Sequence, residues 1–101
     1  MPKIQHNVAF DWDRGNIDKN YLKHNISQNE AEQIFLDKKL QVKKDFKHSG
    51  AEKRYIGLGA TRTDKLLFVA FTFRKELVRI ISARIANKNE RRLYEEYQEK
   101  T

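Results

Sequence analysis

The chain has 101 residues, of which 39% are hydrophobic and 35% charged, with no cysteine and a formal net charge of +7. This composition is typical of one globular domain with a modest core, and it excludes a disordered chain, disulfide bonds and thiolate catalysis. The densest apolar run, residues 66–73, is too short to span a bilayer, and the N-terminus has no apolar signal region, so we expect a cytoplasmic protein.

The first predicted elements follow an irregular start. Residues 1–9 show no periodicity and are predicted to form a loose N-terminal arm of this single domain. Residues 9–13 are interpreted as a short strand with its two aromatic residues on one face. Asp13 then lies where it can cap a first helix that continues to about His24.

A second helix begins with a clear start signal. Ser27, followed three residues later by Glu30, forms the capping-box pattern, and Ile26 and Ala31 occupy the two positions of a hydrophobic staple. The helix is predicted to end near Asp37.

After this helix the apolar period changes to two, which indicates strands. Residues 40–46 alternate weakly and predict an outer strand. Residues 54–60 predict a strand whose two glycines allow another group to approach the backbone closely. Residues 65–73 are apolar on both faces, which predicts the central strand, and residues 77–84 form the next one. The short connections favour antiparallel hairpins.

The last element begins at Asn87, which forms a second capping box with Glu90. Its apolar face is predicted to contain Leu93, Tyr94 and Tyr97. The sequence therefore predicts an α+β domain with two N-terminal helices, an antiparallel sheet of about four strands and a C-terminal helix. The helices are expected to cover mainly one face of the sheet.

Positive charge is concentrated in residues 51–92, which contain eleven Lys or Arg residues against four Asp or Glu residues. Such a segment attracts nucleic acid or an acidic protein. Alternation along the last strand puts Arg79 on one face and Arg84 on the other. Arginine forms bidentate bonds to phosphate, keeps its charge and stabilises a pentacoordinate phosphorus. Both arginines are equally well explained as strand-edge charges that discourage aggregation.

Three residues are candidate bases for RNA cleavage: His24, His48 and Glu52. RNA is cut without a metal ion when a base removes the proton of its 2′-hydroxyl and cations stabilise the phosphorane. Each candidate also has a structural explanation, His24 as a helix end, His48 as an exposed loop residue and Glu52 as a surface partner of Arg54. The scattered histidines give no support for a metal site, and the residues alone leave the base undecided.

Several motifs occur in a fixed order along the chain. They are "FDWD" at 10–13, "KHNIS" at 23–27, "EAEQIF" at 30–35, a segment with His, Glu and Arg at 48–54, and "RIISAR" followed by "ERRLYEE" within 79–96. In this order and at this spacing the chain resembles the BrnT family of toxins over residues 10–97.

The resemblance implies a RelE-like fold and a ribonuclease toxin of a type II toxin–antitoxin system, which cuts RNA without a metal or other cofactor and inhibits translation. The implied partner is an antitoxin with a ribbon-helix-helix DNA-binding part, and operator DNA is contacted only through the complex. Among the matching positions, the resemblance suggests His24 or Glu52 as base or orienting residue, and Arg54, Arg79 and Arg84 as phosphate ligands.

Four further residues are candidates for RNA contact. Lys23 matches a polar position of the family, and Lys88 and Arg91 lie in the basic start of the last helix, where a solvated helix face is the alternative explanation. Tyr97 could stack on a base, although burial in the core is the default for a tyrosine on an apolar helix face.

Two other function classes fit parts of the pattern. A non-catalytic basic module that binds an acidic protein or nucleic acid has the same charge and differs only in showing no cleavage. A DNA-binding regulator that acts alone is weaker, because the sequence shows no helix-turn-helix spacing.

Overall fold

In a computed structural model, the chain is described over residues 9–11, 26–47, 50 and 52–99. The predicted arm apart from residue 9, the last two residues of the predicted short strand and the whole predicted first helix lie outside these residues. Lys23, His24 and His48 lie outside them as well. The described part is an α+β unit, with one helix before an antiparallel sheet and one helix after it.

The described elements follow the predicted order. Helix α1 spans Gln28–Gln33 and continues as a 3₁₀ turn over Ile34–Leu36, the strands are β1 Gln41–Lys44, β2 Tyr55–Ala60, β3 Leu66–Arg74 and β4 Leu77–Ile85, and helix α2 spans Lys88–Glu99. Neither helix of the described ranges is long and apolar enough to cross a membrane.

The start of α1 confirms the predicted capping box. The Glu30 backbone N–H donates to the Ser27 hydroxyl at 3.1 Å, and the Ser27 N–H donates to the Glu30 carboxylate at 2.9 Å. Ile26 and Ala31, the two predicted staple residues, are both buried. The 3₁₀ turn ends at Asp37, whose N–H donates to the Ile34 carbonyl, as the sequence predicts.

The four strands form one sheet in the order β1-β2-β3-β4, and each neighbouring pair is antiparallel. Strand β3 is therefore central and β1 lies at an edge, both as predicted. The β3–β4 connection consists of Lys75 and Glu76, with φ angles of 52° and 68°. Positive φ at both residues is the geometry of a two-residue type I′ hairpin. Next to β4, Phe10 forms an isolated parallel bridge with Val78.

One face of the sheet forms the main core under α1 and the 3₁₀ turn. Ile34 and Phe35 pack there with Phe71, which is fully buried at the centre of the cluster. The close approach predicted at the glycines is confirmed, since a Cβ on Gly59 would lie 3.0 Å from the Ile34 Cβ. The group that approaches the backbone is thus the 3₁₀ turn of the same chain.

Strand β4 contains a bulge that changes the predicted side of Arg79. Ser82 pairs with Ala70 while Ile80 pairs with Phe71, so Ile81 is an extra residue in the ladder. Simple alternation predicted Arg79 and Arg84 on opposite faces, and this is wrong. Beyond the extra residue the alternation resumes with a shift of one, and both arginines lie on the same face.

Helix α2 covers part of the second face, so the prediction that the helices cover mainly one face is wrong. Tyr94 is buried against Leu58 and Leu66, because β3 is apolar on both faces and needs cover on both. The predicted apolar face of α2 is also only partly correct. Leu93 and Tyr97 are 52% and 56% exposed, since the helix contacts the sheet mainly through Tyr94.

Candidate functional site

The second face of the sheet carries a groove made of two adjoining clefts. The α2 cleft, of about 260 Å³, is lined by Glu90, Leu93 and Tyr97 of α2 and by sheet residues. The β1 cleft, of about 520 Å³, extends from the middle of the sheet to the β1 edge. The two clefts share the sheet residues Lys43, Ile56 and Phe68, so we treat them as one groove.

Arg84 lies beside this groove in a fixed orientation, over the Phe68 ring that lines both clefts. Its two terminal nitrogens donate to the two carboxylate oxygens of Glu90 at 2.8 and 2.7 Å. Its guanidinium lies over the Phe68 ring, 4.0 Å from the ring centroid, which adds a cation–π contact. The Glu90 hydrogen bonds raise the pKa of Arg84, so the side chain stays charged.

Glu90 joins the groove to the start of α2. It accepts hydrogen bonds from Arg84 and, at 2.9 Å, from the Asn87 N–H, while the Asn87 side chain accepts from the Glu90 N–H. The Arg84 hydrogen bonds lower the pKa of Glu90, and the Asn87 N–H and the charge of Lys43 act in the same direction. Glu90 is therefore an orienting anion for Arg84 and a poor base, because a base needs a pKa near the working pH.

The Arg84–Glu90 pair predicts a pH-dependent stability. The pKa of Glu90 is lower in the folded chain than in the unfolded one, so its contribution is complete above the unfolded value of about 4.3 and is lost as the pH falls through the folded pKa. We expect Glu90→Gln to lower the free energy of unfolding at neutral pH by about 1 kcal/mol and to flatten its decline in acid.

Urea unfolding at a series of pH values from about 6 to about 3 measures this difference. Glu96→Gln is the matched control, because Glu96 meets Arg92 only at 3.9 Å on the exposed side of α2. Parallel stability curves for Glu90→Gln and the parent would contradict the assigned role of the pair.

The other predicted phosphate ligands lie on the same face. Arg79 is directly opposite Thr72, on the row of β3 residues that continues through Phe68. Arg54 immediately precedes β2 and lines the β1 cleft. The Thr72 hydroxyl donates to the Lys53 carbonyl at 2.6 Å, which joins β3 to the segment just before Arg54. The fold thus places Arg54, Arg79 and Arg84 on one face of the sheet, with Arg79 half-buried there.

Glu52 forms an ion pair with Arg74. Its carboxylate accepts from Arg74 at 3.1 Å, in a pair whose side chains are 49% and 45% exposed. Strand β2 begins only at Tyr55, so Glu52 lies in the bend before it and does not share a strand face with Arg54.

The four candidates for RNA contact are separated. Tyr97 lines the α2 cleft and is therefore part of the groove. Lys88 is exposed at the first position of α2, and Arg91 lines another cleft together with Asp37. Lys23 lies outside the described residues. Of these four, the described structure brings only Tyr97 to the groove.

Two residues of the groove have roles that the sequence analysis missed. Glu90 was interpreted only as a helix cap, although a capping carboxylate six residues after an arginine at a strand end is a usable signal. Lys43 was interpreted only as part of an outer strand, and it lines both clefts and lowers the pKa of Glu90.

Comparison with known proteins gives one family. The sequence model of the family described as "Ribonuclease toxin, BrnT, of type II toxin-antitoxin system" matches residues 12–90, well over half of the chain. No curated protein matches the sequence. The matched range includes the whole sheet and ends at Glu90, so it contains each arginine of the groove.

Proposed function

Because the chain belongs to the BrnT family of type II toxin–antitoxin ribonuclease toxins, we propose that it cleaves RNA without a metal ion and thereby inhibits translation. The observation that carries this proposal is the fixed Arg84 guanidinium, held by Glu90 over Phe68 on a face that also carries Arg54 and Arg79.

The proposed chemistry uses the 2′-hydroxyl of the RNA itself. A base removes its proton, the 2′-oxygen bonds to phosphorus, and the bond from phosphorus to the next 5′-oxygen breaks. The products are a 2′,3′-cyclic phosphate and a 5′-hydroxyl, whose oxygen takes up a proton. Arginines stabilise this reaction because negative charge accumulates on the phosphate oxygens in the transition state.

Arg84 is proposed as the main phosphate ligand, with Arg54 and Arg79 as further ligands. Preorganisation supports Arg84, since its plane is already fixed by two hydrogen bonds to Glu90, one to the Ile85 carbonyl and one ring contact before any RNA binds. These bonds use both Nη1–H groups and one Nη2–H, so the Nε–H and the second Nη2–H are donors for a phosphate oxygen.

The base is proposed to be His24, His48 or Glu52. A histidine has an unperturbed pKa of about 6.5, which suits proton transfer near neutral pH. Glu52 is accessible but is engaged with Arg74. Glu90 is not proposed, because Arg84 and the Asn87 N–H engage its carboxylate and the Arg84 hydrogen bonds lower its pKa. Tyr97 is proposed to contact a base of the RNA, and Lys23, Lys88 and Arg91 to contact its backbone.

The type II family implies an antitoxin partner. We propose that this antitoxin has a ribbon-helix-helix DNA-binding part, that it covers the groove or holds it away from RNA, and that operator DNA is bound only through the complex. The basic character of the groove supports an acidic contact segment on the antitoxin.

The second candidate function is a non-catalytic binding module. Its specific support is that Glu90 already occupies one edge of Arg84, which a purely structural ion pair would also do. Such a module binds RNA or an acidic protein through the same face and shows no cleavage at any protein concentration.

The test is cleavage of RNA by the purified chain in the presence of EDTA, with analysis of the product ends. We expect new ends that carry 2′,3′-cyclic phosphate and 5′-hydroxyl groups, and no cutting where the 2′-hydroxyl is methylated. In cells, induction of the chain without its antitoxin should arrest growth and produce new cuts in total RNA. Folded protein that leaves RNA intact under all these conditions supports the binding module instead.

A further inference from the structure

The β1 cleft contains lysines and an aromatic residue that have no role in the proposed catalysis. At the β1 edge it is lined by residues Lys44, Phe46 and Lys47, next to Lys43. Four basic residues line the whole cleft, namely Lys43, Lys44, Lys47 and Arg54, against the single acidic residue Asp45. The cleft is therefore strongly cationic and contains an aromatic side chain at its rim.

Phe46 is the most exposed large apolar side chain in the described part of the chain, with 79% of its surface accessible. The Lys44 ammonium lies 5.6 Å from its ring centroid, so the ring is accompanied by positive charge. A single exposed apolar residue is common on protein surfaces and needs no function by itself. Phe46 differs from such a residue because it lies at the rim of a cationic cleft.

The β1 cleft is continuous with the surroundings of Arg84. Ile56 and Phe68 form part of its wall, and the same Phe68 ring carries the Arg84 guanidinium. Ser82, which lies between Arg79 and Arg84 on β4, also lines the cleft. A polymer bound at Arg84 can therefore continue along the sheet to Phe46 without leaving the groove.

We propose that the β1 cleft binds the single-stranded RNA next to the cut, with one base stacked on Phe46 and the backbone phosphates held by Lys43, Lys44 and Lys47. This inference rests on the proposed function, because it extends the same RNA site. Proteins that bind single strands without strict sequence preference combine a cationic groove with exposed aromatic rings, since every base offers a face for stacking.

The geometry favours RNA over an acidic peptide as the occupant. An acidic peptide would be held by the lysines alone and would gain little from a mostly exposed phenyl ring. A nucleobase gains from both, because its phosphates pair with the lysines while its face covers the ring.

The test uses an eight-nucleotide RNA methylated at every 2′-oxygen, which binds but cannot be cut, and measures affinity by fluorescence anisotropy. We expect Phe46→Ala and Phe46→Leu to weaken binding about ten-fold and Phe46→Tyr to keep it within about two-fold. Leu preserves apolar volume without a ring face, so this pair separates stacking from general contact. Because Phe46 is exposed, all three variants should keep the parent circular dichroism spectrum.

The salt dependence of binding provides a second measurement. We expect Lys44→Gln and Lys47→Gln each to reduce the slope of log affinity against log salt by about 0.7, the value for one phosphate contact on a single strand. Lys65→Gln is the matched control, because Lys65 pairs with Glu30 of α1 and lines neither cleft of the groove, and it should leave the slope unchanged.

The outcomes separate this inference from the proposed function. Equal RNA affinity of Phe46→Ala and the parent, or no measurable binding of the methylated RNA, overturns the inference whether or not cleavable RNA is cut. Binding that depends on Phe46 and on the lysines, without cleavage of unmodified RNA, upholds the inference and overturns the proposed catalysis.

Discussion

Arg84→Ala is expected to lower the rate of RNA cleavage by about 10²–10³-fold, the usual effect of removing one preorganised donor from a charged transition state. The structure gives the reason, since the Arg84 guanidinium is fixed by Glu90 and Phe68 before substrate binds. The loss should appear mainly in kcat, because the negative charge that the arginine neutralises increases during the reaction.

Arg84→Lys should recover little of this activity. An ammonium keeps the charge but cannot bond both Glu90 oxygens in one plane and present a further donor edge. The matched control is Arg92→Ala, since Arg92 is an exposed arginine of α2 whose contacts are a 3.5 Å hydrogen bond to Asn89 and a 3.9 Å approach to Glu96. We expect Arg92→Ala to cleave RNA as the parent does.

The measurement is single-turnover cleavage of a short RNA, beside growth after induction without the antitoxin. Circular dichroism and urea unfolding identify variants that have lost the fold, and Glu90→Gln shows the effect of breaking the same pair from the other side. Parent-like cleavage by a folded Arg84→Ala protein would remove Arg84 from the catalytic site.

Local signals in the sequence predicted the described elements well. The capping boxes at Ser27 and at Asn87 are both present, and the strand that is apolar on both faces is central. These features depend on neighbouring residues alone. The extra residue Ile81 could not be predicted in this way, because period-two alternation assumes an unbroken ladder and no residue type marks this bulge.

The site was predicted in part. Arg84 is accessible near the end of β4, whereas Arg79 lies within the strand and is half-buried, and their common face depends on the bulge in β4. The double role of Glu90, as helix cap and as partner of Arg84, joins two elements and is a tertiary property. Phe46 lies in the turn two residues after the edge strand β1, where an apolar residue has no periodicity to identify its side. His24 and His48 stay candidates for the base.

Gly59→Ala is expected to reduce the free energy of unfolding by about 2 kcal/mol through overpacking. An added Cβ would lie 3.0 Å from the Ile34 Cβ and 3.2 Å from the Ile34 carbonyl oxygen, so the 3₁₀ turn itself would have to move. Gly57→Ala is the matched control on the same strand face. Its nearest contacts, at 3.2 and 3.4 Å, are the outer ring and methyl atoms of Phe71 and Ile34, which can shift more easily.

The Gly59 substitution should also affect the site, because the 3₁₀ turn carries the anchor of α2. Asp37, directly after the turn, accepts hydrogen bonds from the Ala60 N–H at 2.9 Å and from the Tyr94 hydroxyl at 2.5 Å. Tyr94 is the buried residue of α2, and Glu90 lies one turn before it. A displaced turn therefore disturbs the orientation of Glu90, and with it that of Arg84.

We expect Gly59→Ala to lower both the urea midpoint and the cleavage rate of the protein that remains folded, and Gly57→Ala to change either quantity only slightly. The measurements are urea unfolding and single-turnover cleavage at a temperature where both variants are folded. Equal destabilisation by the two substitutions would show that the contacts at Gly59 yield as easily as those at Gly57. That result would contradict the overpacking argument for Gly59. Loss of stability without loss of cleavage rate would separate the α1 side of the sheet from the groove, and Asp37 would then stabilise α2 without orienting Arg84.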